Sequence, residues 1–301
     1  MKRIWTAGAI HVAAEISRSG NNSVSAIIQL YPPTGGESSL EGLYLGHHLR
    51  ESGANKGEAF VYTNYVVSLD GRIAIPHPTK DGLAVPQAIA NDRDWRLFQE
   101  LATQADVLIT TGRYFRDYAD GRAQEILEVY DDPKYADLKA WREANKLPTQ
   151  PALAVISNSL NFEIPAGLTE NGRQIYIFTS ADADAKRIAE LEQQQAIVLV
   201  AGDDGVDGRQ MVRLLSERGH RTIYSTAGPK VFHLLLQADV LDRLYLTHAP
   251  RILGGDPFAT IVEGSLLQPA ADFKLHTLYF DAQGVDGLGQ LFISYNRTIA
   301  N

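Results

Sequence analysis

The chain has 301 residues, 45% of them hydrophobic, with 36 acidic and 28 basic side chains for a net charge of −8, and no cysteine. That is ample apolar material for one large core or two. With no run of about 18 apolar residues to span a bilayer, and no cysteine, membrane spans, disulfides, thiolate chemistry and cysteine-held metal centres are excluded. An acidic chain without a basic stripe also argues against nucleic acid as a partner, and any anionic ligand would need local donors.

In chain order, Glu15 and Arg18 stand where a signal peptide needs an apolar stretch, so a cytoplasmic protein is expected. Residues 1–57 read as an N-terminal extension packing on the main domain, residues 58–301, or on a partner subunit. Within it, 26–31 reads as a strand and Pro32 to Gly36 as a turn. His47-His48 reads as a wet loop or helix end, because adjacent residues on a regular helix cannot face one metal; no metal site is expected. Ser52 to Gly57 reads as a flexible boundary. Residues 59–68 form an apolar strand buried on both faces and closed by the tight turn Leu69-Asp-Gly-Arg72. Asp70 at that turn either caps its own backbone or faces a ligand. The loop from Pro76 to Gln87 is a lid or plain surface.

Asn91-Asp-Arg-Asp94 caps a helix with Trp95, Phe98, Leu101 and Ala102 facing inward. The strand 106–110 then runs into Thr111-Gly-Arg-Tyr-Phe115. There the threonine hydroxyls and Arg113 make an anion cradle, or else Arg113 and Arg116 are solvated charges beside Asp117 and Asp120. Residues 123–146, with Ile126, Leu127, Tyr130, Leu138 and Trp141, suggest surface helices. Strands follow at 151–157, 174–180 and 196–200, and helices to about 195 and over 208–218. The strand 221–224 leads into Ser225-Thr-Ala-Gly-Pro-Lys230 and a helix in which Val231, Leu234, Leu235 and Ala238 share one face. Small residues before a helix N-terminus, with Pro229 in the first turn and Lys230 adding charge, can hold a phosphate, or be ordinary turn chemistry. A strand at 240–250 precedes Arg251-Ile-Leu-Gly-Gly-Asp-Pro-Phe258. The stretches 273–280 and 289–295 form a terminal antiparallel hairpin.

Strands alternating with helices predict an α/β fold with a mixed, mostly parallel sheet. Asp70, Thr110-Thr111, Ser157-Asn158, Thr179-Ser180 and Ser225-Thr226 fall at strand ends, where open parallel sheets bind ligands.

The ordered set Ser68-Leu-Asp-Gly-Arg72, Gly112, Ala227-Gly-Pro229 and Ala249-Pro-Arg-Ile-Leu-Gly-Gly255 resembles the reductase half of the bifunctional riboflavin-biosynthesis deaminase/reductase, over residues 59 to about 297. Leu30-Tyr-Pro-Pro33 is similar to its stand-alone pyrimidine-reductase branch. The resemblance implies a dihydrofolate reductase-like three-layer fold and a homodimer. It also implies NADPH-dependent reduction of a ribosylamino-pyrimidine of the 5-amino-6-(5-phosphoribosylamino)uracil type, at C1′ of the opened ribose imine. On the same basis, Thr226, Ala227, Gly228, Pro229 and Lys230 hold the cofactor pyrophosphate, with Thr111, Gly112 and Arg113 beside the phosphates. Ser157, Asn158, Thr179 and Ser180 surround the adenosine end. Asn64, Ser68, Arg93, Tyr114, Gly254 and Gly255 bind substrate, and Asp70 is the proton donor or charge stabiliser. The deaminase half is absent, since its Pro-Cys-x-x-Cys motif needs cysteine. Two departures bear on substrate identity: Thr226 replaces the family's Glu, and Thr111-Gly-Arg-Tyr114 replaces its Gly-x-Gly-Thr. Reduction of another pterin-like or carbonyl compound, and a non-catalytic nucleotide-binding relative, are the alternatives.

Overall fold

A computed structural model describes residues 4–6, 9–12, 26–33, 36–78, 82–129 and 133–298. Glu15, Arg18, the centre of the 32–36 turn, the tip of the 76–87 loop and Tyr130 lie outside the described residues.

Two short strands, β1 (Ile4–Thr6) and β2 (Ala9–Val12), pair with each other. The main sheet is then built from β3 (Ile27–Tyr31), β4 (Glu37–Ser38), β5 (Phe60–Ser68), β8 (Val107–Thr111), β9 (Ala152–Ile156), β10 (Ile175–Thr179), β11 (Ile197–Val200), β12 (Thr222–Ser225), β13 (Arg243–Ala249), β14 (Asp272–Asp281) and β15 (Gln290–Thr298). Between β5 and β8 the small hairpin β6 (Ile75–Pro76) and β7 (Leu83–Ala84) stands apart. The strand order is β11-β10-β9-β8-β12-β5-β13-β15-β14-β3-β4. All neighbours from β11 to β13 are parallel, and those from β13 to β4 antiparallel. The expected mixed, mostly parallel sheet with its C-terminal antiparallel hairpin is therefore present.

Helices α1 (Leu49–Lys56), α2 (Asp92–Thr103), α3 (Gly112–Ala119), α4 (Ala136–Ala144), the single turn α5 (Ala166–Thr169), α6 (Ala185–Gln193), α7 (Gly208–Glu217) and α8 (Pro229–Gln237) cover the sheet. Trp95, Phe98 and Leu101 of α2, Phe115 of α3, Leu138 of α4 and Leu191 of α6 bury one face, against Tyr62, Leu108, Val155, Ile177 and Tyr224. Met211 and Leu215 of α7 and Val231, Phe232 and Leu235 of α8 bury the other, against Val61, Ile109, Phe178, Ile223 and Leu244. The physical reason is the handedness of parallel crossovers. Steps from β5 out to β11 run one way along the sheet and put their helices on one face; the return through β12 to β13 runs the other way and puts α7 and α8 opposite. Neighbouring strands β8 and β12 thus send their chains to opposite faces, which opens a crevice beyond their C-terminal ends.

Two features depart from the sequence-based expectations, and a third extends them. Residues 52–57 are not a flexible boundary: α1 runs to Lys56, and a Cβ on its Gly53 would lie 2.3 Å from the Arg221 carbonyl oxygen, so the absent side chain lets the helix lie directly on β12's approach. Residues 26–57 add β3 and β4 to the main sheet, and Glu100 of α2 accepts the N–H groups of Gly42 (2.6 Å) and Tyr44 (2.8 Å). His47 is not wet. It sits between the Tyr245 and Tyr279 hydroxyls at 2.9 and 3.1 Å, and burial lowers its pKa to about 3.

Candidate active site

At the end of β5 the chain reverses through Ser68-Leu-Asp-Gly-Arg72, with Gly71 at φ +79°. The Asp70 carboxylate accepts from the Ser68 hydroxyl at 2.5 Å and the Gly254 N–H at 2.8 Å, more distantly from the Leu253 N–H, and pairs with Arg72 at 2.7 Å. Ser68's hydroxyl and those backbone donors hold its pKa well below the usual carboxylate range. A carboxyl so held cannot give a proton near neutrality; it clamps the β5 turn to the loop after β13. Leu69 N–H adds a bond to the Arg251 carbonyl at 2.8 Å. The Arg72 guanidinium lies 4.2 Å from the Phe258 ring centroid and donates to the Gly255 carbonyl. Gly254 and Gly255 take left-handed φ of +64° and +94°, which is why glycine serves there.

One strand over, the 225–230 turn is held from below. Thr63 donates to the Ser225 carbonyl at 2.8 Å and Tyr65 to the Ala227 carbonyl at 3.2 Å. Thr226 is bound to β8, its N–H and hydroxyl both reaching the Ile109 carbonyl, so its side chain is occupied within the sheet. The N–H groups of Ala227 and Gly228 find no acceptor among the described residues, and α8 starts at Pro229. Lys230 is exposed and pairs with Glu263 at 3.4 Å.

Across the crevice α3 begins at Gly112, immediately after Thr111. A Cβ at Gly112 would lie 2.7 Å from the Phe162 ring, so only glycine lets the backbone close here. Arg113 is half exposed and pairs with Asp117; its guanidinium lies near Gly82 in the 76–87 loop. Farther along, Ser157's hydroxyl caps Leu160 N–H at 3.1 Å, Ser180's is used on Asp182 at 2.5 Å, and Asn158 is exposed near Gly205. Thr179 and Ser225 keep buried hydroxyl oxygens without a partner.

On the α2 side, Tyr224's hydroxyl donates to Asn64 at 2.5 Å. Arg93 pairs with Asp281 at 2.6 Å and leaves one buried guanidinium nitrogen unpartnered. Tyr114 corrects the substrate set: it is buried in the core and its hydroxyl donates to the Gln124 carbonyl at 3.0 Å, because α3 turns that face onto the sheet. The residue that sequence reasoning passed over is Asp94. Read as part of a helix cap, it is 3% exposed, and burial raises its pKa to about 6 against a single favourable hydrogen bond from Thr247. The available signal was its place on the inward stripe of Phe98 and Leu101.

Residues 59–285 match the model of the RibD C-terminal domain. The chain belongs to that family. Among curated members, it is 24% identical over 213 residues to the 2,5-diamino-6-ribosylamino-4(3H)-pyrimidinone 5′-phosphate reductase of Methanothermobacter thermautotrophicus, covering 71% of this chain and 88% of that one. It is 24% identical over 124 residues to the riboflavin biosynthesis protein RibD of Bacillus amyloliquefaciens, covering 41% of this chain and 33% of that protein. In structure it is similar to a pyrimidine reductase-like protein of Corynebacterium diphtheriae, with a TM-score of 0.64 and 19% identity over 87% of this chain and all of that one. That likeness supports the α/β fold of a RibD C-terminal domain.

Proposed function

We propose that the protein is an NADPH-dependent reductase that converts a ribosylamino-pyrimidine phosphate to its ribitylamino form. Family membership supports the reaction class, and the crevice between β8 and β12 is the observation that carries the cofactor. Its donors fit a dinucleotide: two unclaimed N–H groups at the start of α8, glycine at the start of α3, and the orphaned Thr179 and Ser225 hydroxyls on the same edge. Residues 226–230, with Thr111 and Gly112, would hold the diphosphate. Ser157, Asn158 and Thr179 would line the adenosine side.

NADPH, when bound, supplies hydride from its nicotinamide C4. The chain's own contribution is placement. Half-buried Asn64 on β5, fixed by Tyr224, and the turn around Asp70, held by Ser68, Arg72 and the Gly254 N–H, would bound the substrate side. Asp70 serves as a fixed negative charge and a brace, and the acceptor is C1′ of the opened ribose imine. The antiparallel edge exposes Ile28, Leu30 and Tyr31 of β3, consistent with the homodimer implied by the resemblance.

The experiment is oxidation of NADPH at 340 nm by the purified protein, with and without a ribosylamino-pyrimidine 5′-phosphate. Oxidation that depends on the pyrimidine is expected. Nucleotide binding with no oxidation in its presence would refute the reading.

A further inference from the structure

At the sheet edge opposite the ligand crevice lies a second cavity, of about 370 Å³. Small-molecule sites span about 300–1,000 Å³. Gly57 and Glu58 reach it from the segment before β5, Arg221 from the residue before β12 and Val240 from the turn before β13, while α7 forms its wall. Because β5, β12 and β13 run parallel, their entries meet here and their far ends carry Asp70, the 225–230 turn and Gly254. Three guanidiniums, of Arg209, Arg213 and Arg221, line the cavity with two carboxylates, of Glu58 and Glu217. Arg213 is paired with Glu217 at 2.9 Å. Arg209 and Arg221 meet no carboxylate among the described residues, although acidic side chains outnumber basic ones in this chain and most of its described arginines have such a partner. Both are nevertheless held. Arg209 donates one N–H to the Ala238 carbonyl at 2.6 Å and Arg221 one to the Gly57 carbonyl at 3.3 Å, and the Arg221 backbone N–H is fixed on Asp106 at 2.7 Å. The Ser216 hydroxyl accepts the Ala59 N–H at 3.1 Å, and its own proton finds no acceptor among the described residues. Buried Val212 and Val240 add an apolar lining.

We propose that this cavity binds a phosphomonoester, with the dianionic phosphate between Arg209 and Arg221 and the organic body against Val212 and Val240. A guanidinium presents its N–H donors in a planar fork that matches phosphate oxygens. The single bond that each arginine makes to a carbonyl leaves the other donors free and restricts the side chain before any ligand arrives, which lowers the entropic cost of binding. Ser216 adds a neutral donor. Glu217 is neutralised by Arg213, and Glu58 is exposed to water, where its charge is screened. One exposed arginine without a carboxylate is ordinary surface; two of them tethered at one cavity beside a free hydroxyl, in a chain of net charge −8, make an anion site. The site is distinct from the crevice and does not depend on the reductase reading.

The test titrates phenyl phosphate, inorganic phosphate and phenol into the full chain with saturating NADP⁺, which occupies the crevice, and follows binding by calorimetry. At about pH 8 the monoester, with a second pKa of about 6, is a dianion. Phenyl phosphate should bind at one site, more tightly than inorganic phosphate, and phenol should not bind. Arg209→Gln and Arg221→Gln should each weaken phenyl phosphate by about tenfold or more, and Arg209→Lys by less, while NADP⁺ affinity and the urea unfolding midpoint stay unchanged. No binding of either anion at millimolar concentration, a preference for inorganic phosphate over the ester, or binding of phenol as tight as that of the ester would overturn the assignment. So would affinity that survives both glutamine substitutions, since the phosphate would then sit elsewhere, as in a crevice that NADP⁺ fails to fill.

Discussion

Asp70, in the turn after β5, and Asp94, in the first turn of α2, are shifted in opposite directions, because one is surrounded by donors and the other is buried with a single favourable hydrogen bond. The signs follow by linkage. Asp70's depressed pKa stabilises the fold above the ordinary carboxylate range, and that contribution is lost in acid. Asp94's raised pKa means that the folded chain binds its proton more tightly than the unfolded chain does. Stability is therefore full below about pH 4 and falls as pH rises to about 6, by about 3 kcal/mol in all. Urea unfolding at pH 5 and pH 8 should show the part of this decline that lies above pH 5, about 1.4 kcal/mol, in the wild type and a much smaller one in Asp94→Asn; equal declines would mean that Asp94 does not titrate as described. Asp70→Asn removes the clamp's charge without removing a group that titrates between pH 5 and 9. Turnover should fall about tenfold or more through misplacement of Ser68, while the pH profile between 5 and 9 keeps its shape. A profile limb that vanishes in Asp70→Asn would restore it as the proton donor.

At the scale of elements, close backbone approaches place the working turns. Gly53 lets α1 lie on the segment before β12, and Gly112 lets α3 start against Phe162. Gly53→Ala forces a Cβ onto a carbonyl oxygen and should cost about 1–3 kcal/mol, measured by chemical unfolding. Because α1 is far from the crevice in the chain's path, nucleotide affinity should hold. Gly112→Ala meets the Phe162 ring at the start of α3, so it should weaken NADPH binding by about tenfold in a fluorescence titration, with a smaller effect on stability. These pairings could not be read from the chain. Ser52 to Gly57 has the composition of a linker, and nothing local announces that a helix will be pressed onto a strand 168 residues away.

For the whole molecule, the reversal of direction along the sheet matters most, since it gathers residues from β5, β8, β12 and β13 at one crevice. A ligand that binds there stabilises only the folded chain. At a hundred times its Kd, NADPH should add about 2.7 kcal/mol, or about 4 °C of melting temperature for a domain of this size. A thermal melt without such a shift would refute binding.

The alternating strands and helices, the turn Leu69-Asp-Gly-Arg72, the terminal hairpin and the run Ala227-Gly-Pro229 were legible in the sequence, because each depends on short-range preferences: β-branched runs, glycine at positive φ, proline in a first helical turn. Tertiary structure alone decided which polar residues remain free. Ser180 and Thr226 are used up by their neighbours, Tyr114 is turned into the core, and His47 is dried by two tyrosines. It alone buried Asp94 against Thr247. A side chain's chemistry is fixed by its type, but its charge and partners depend on what distant segments bring against it, and no local pattern encodes that.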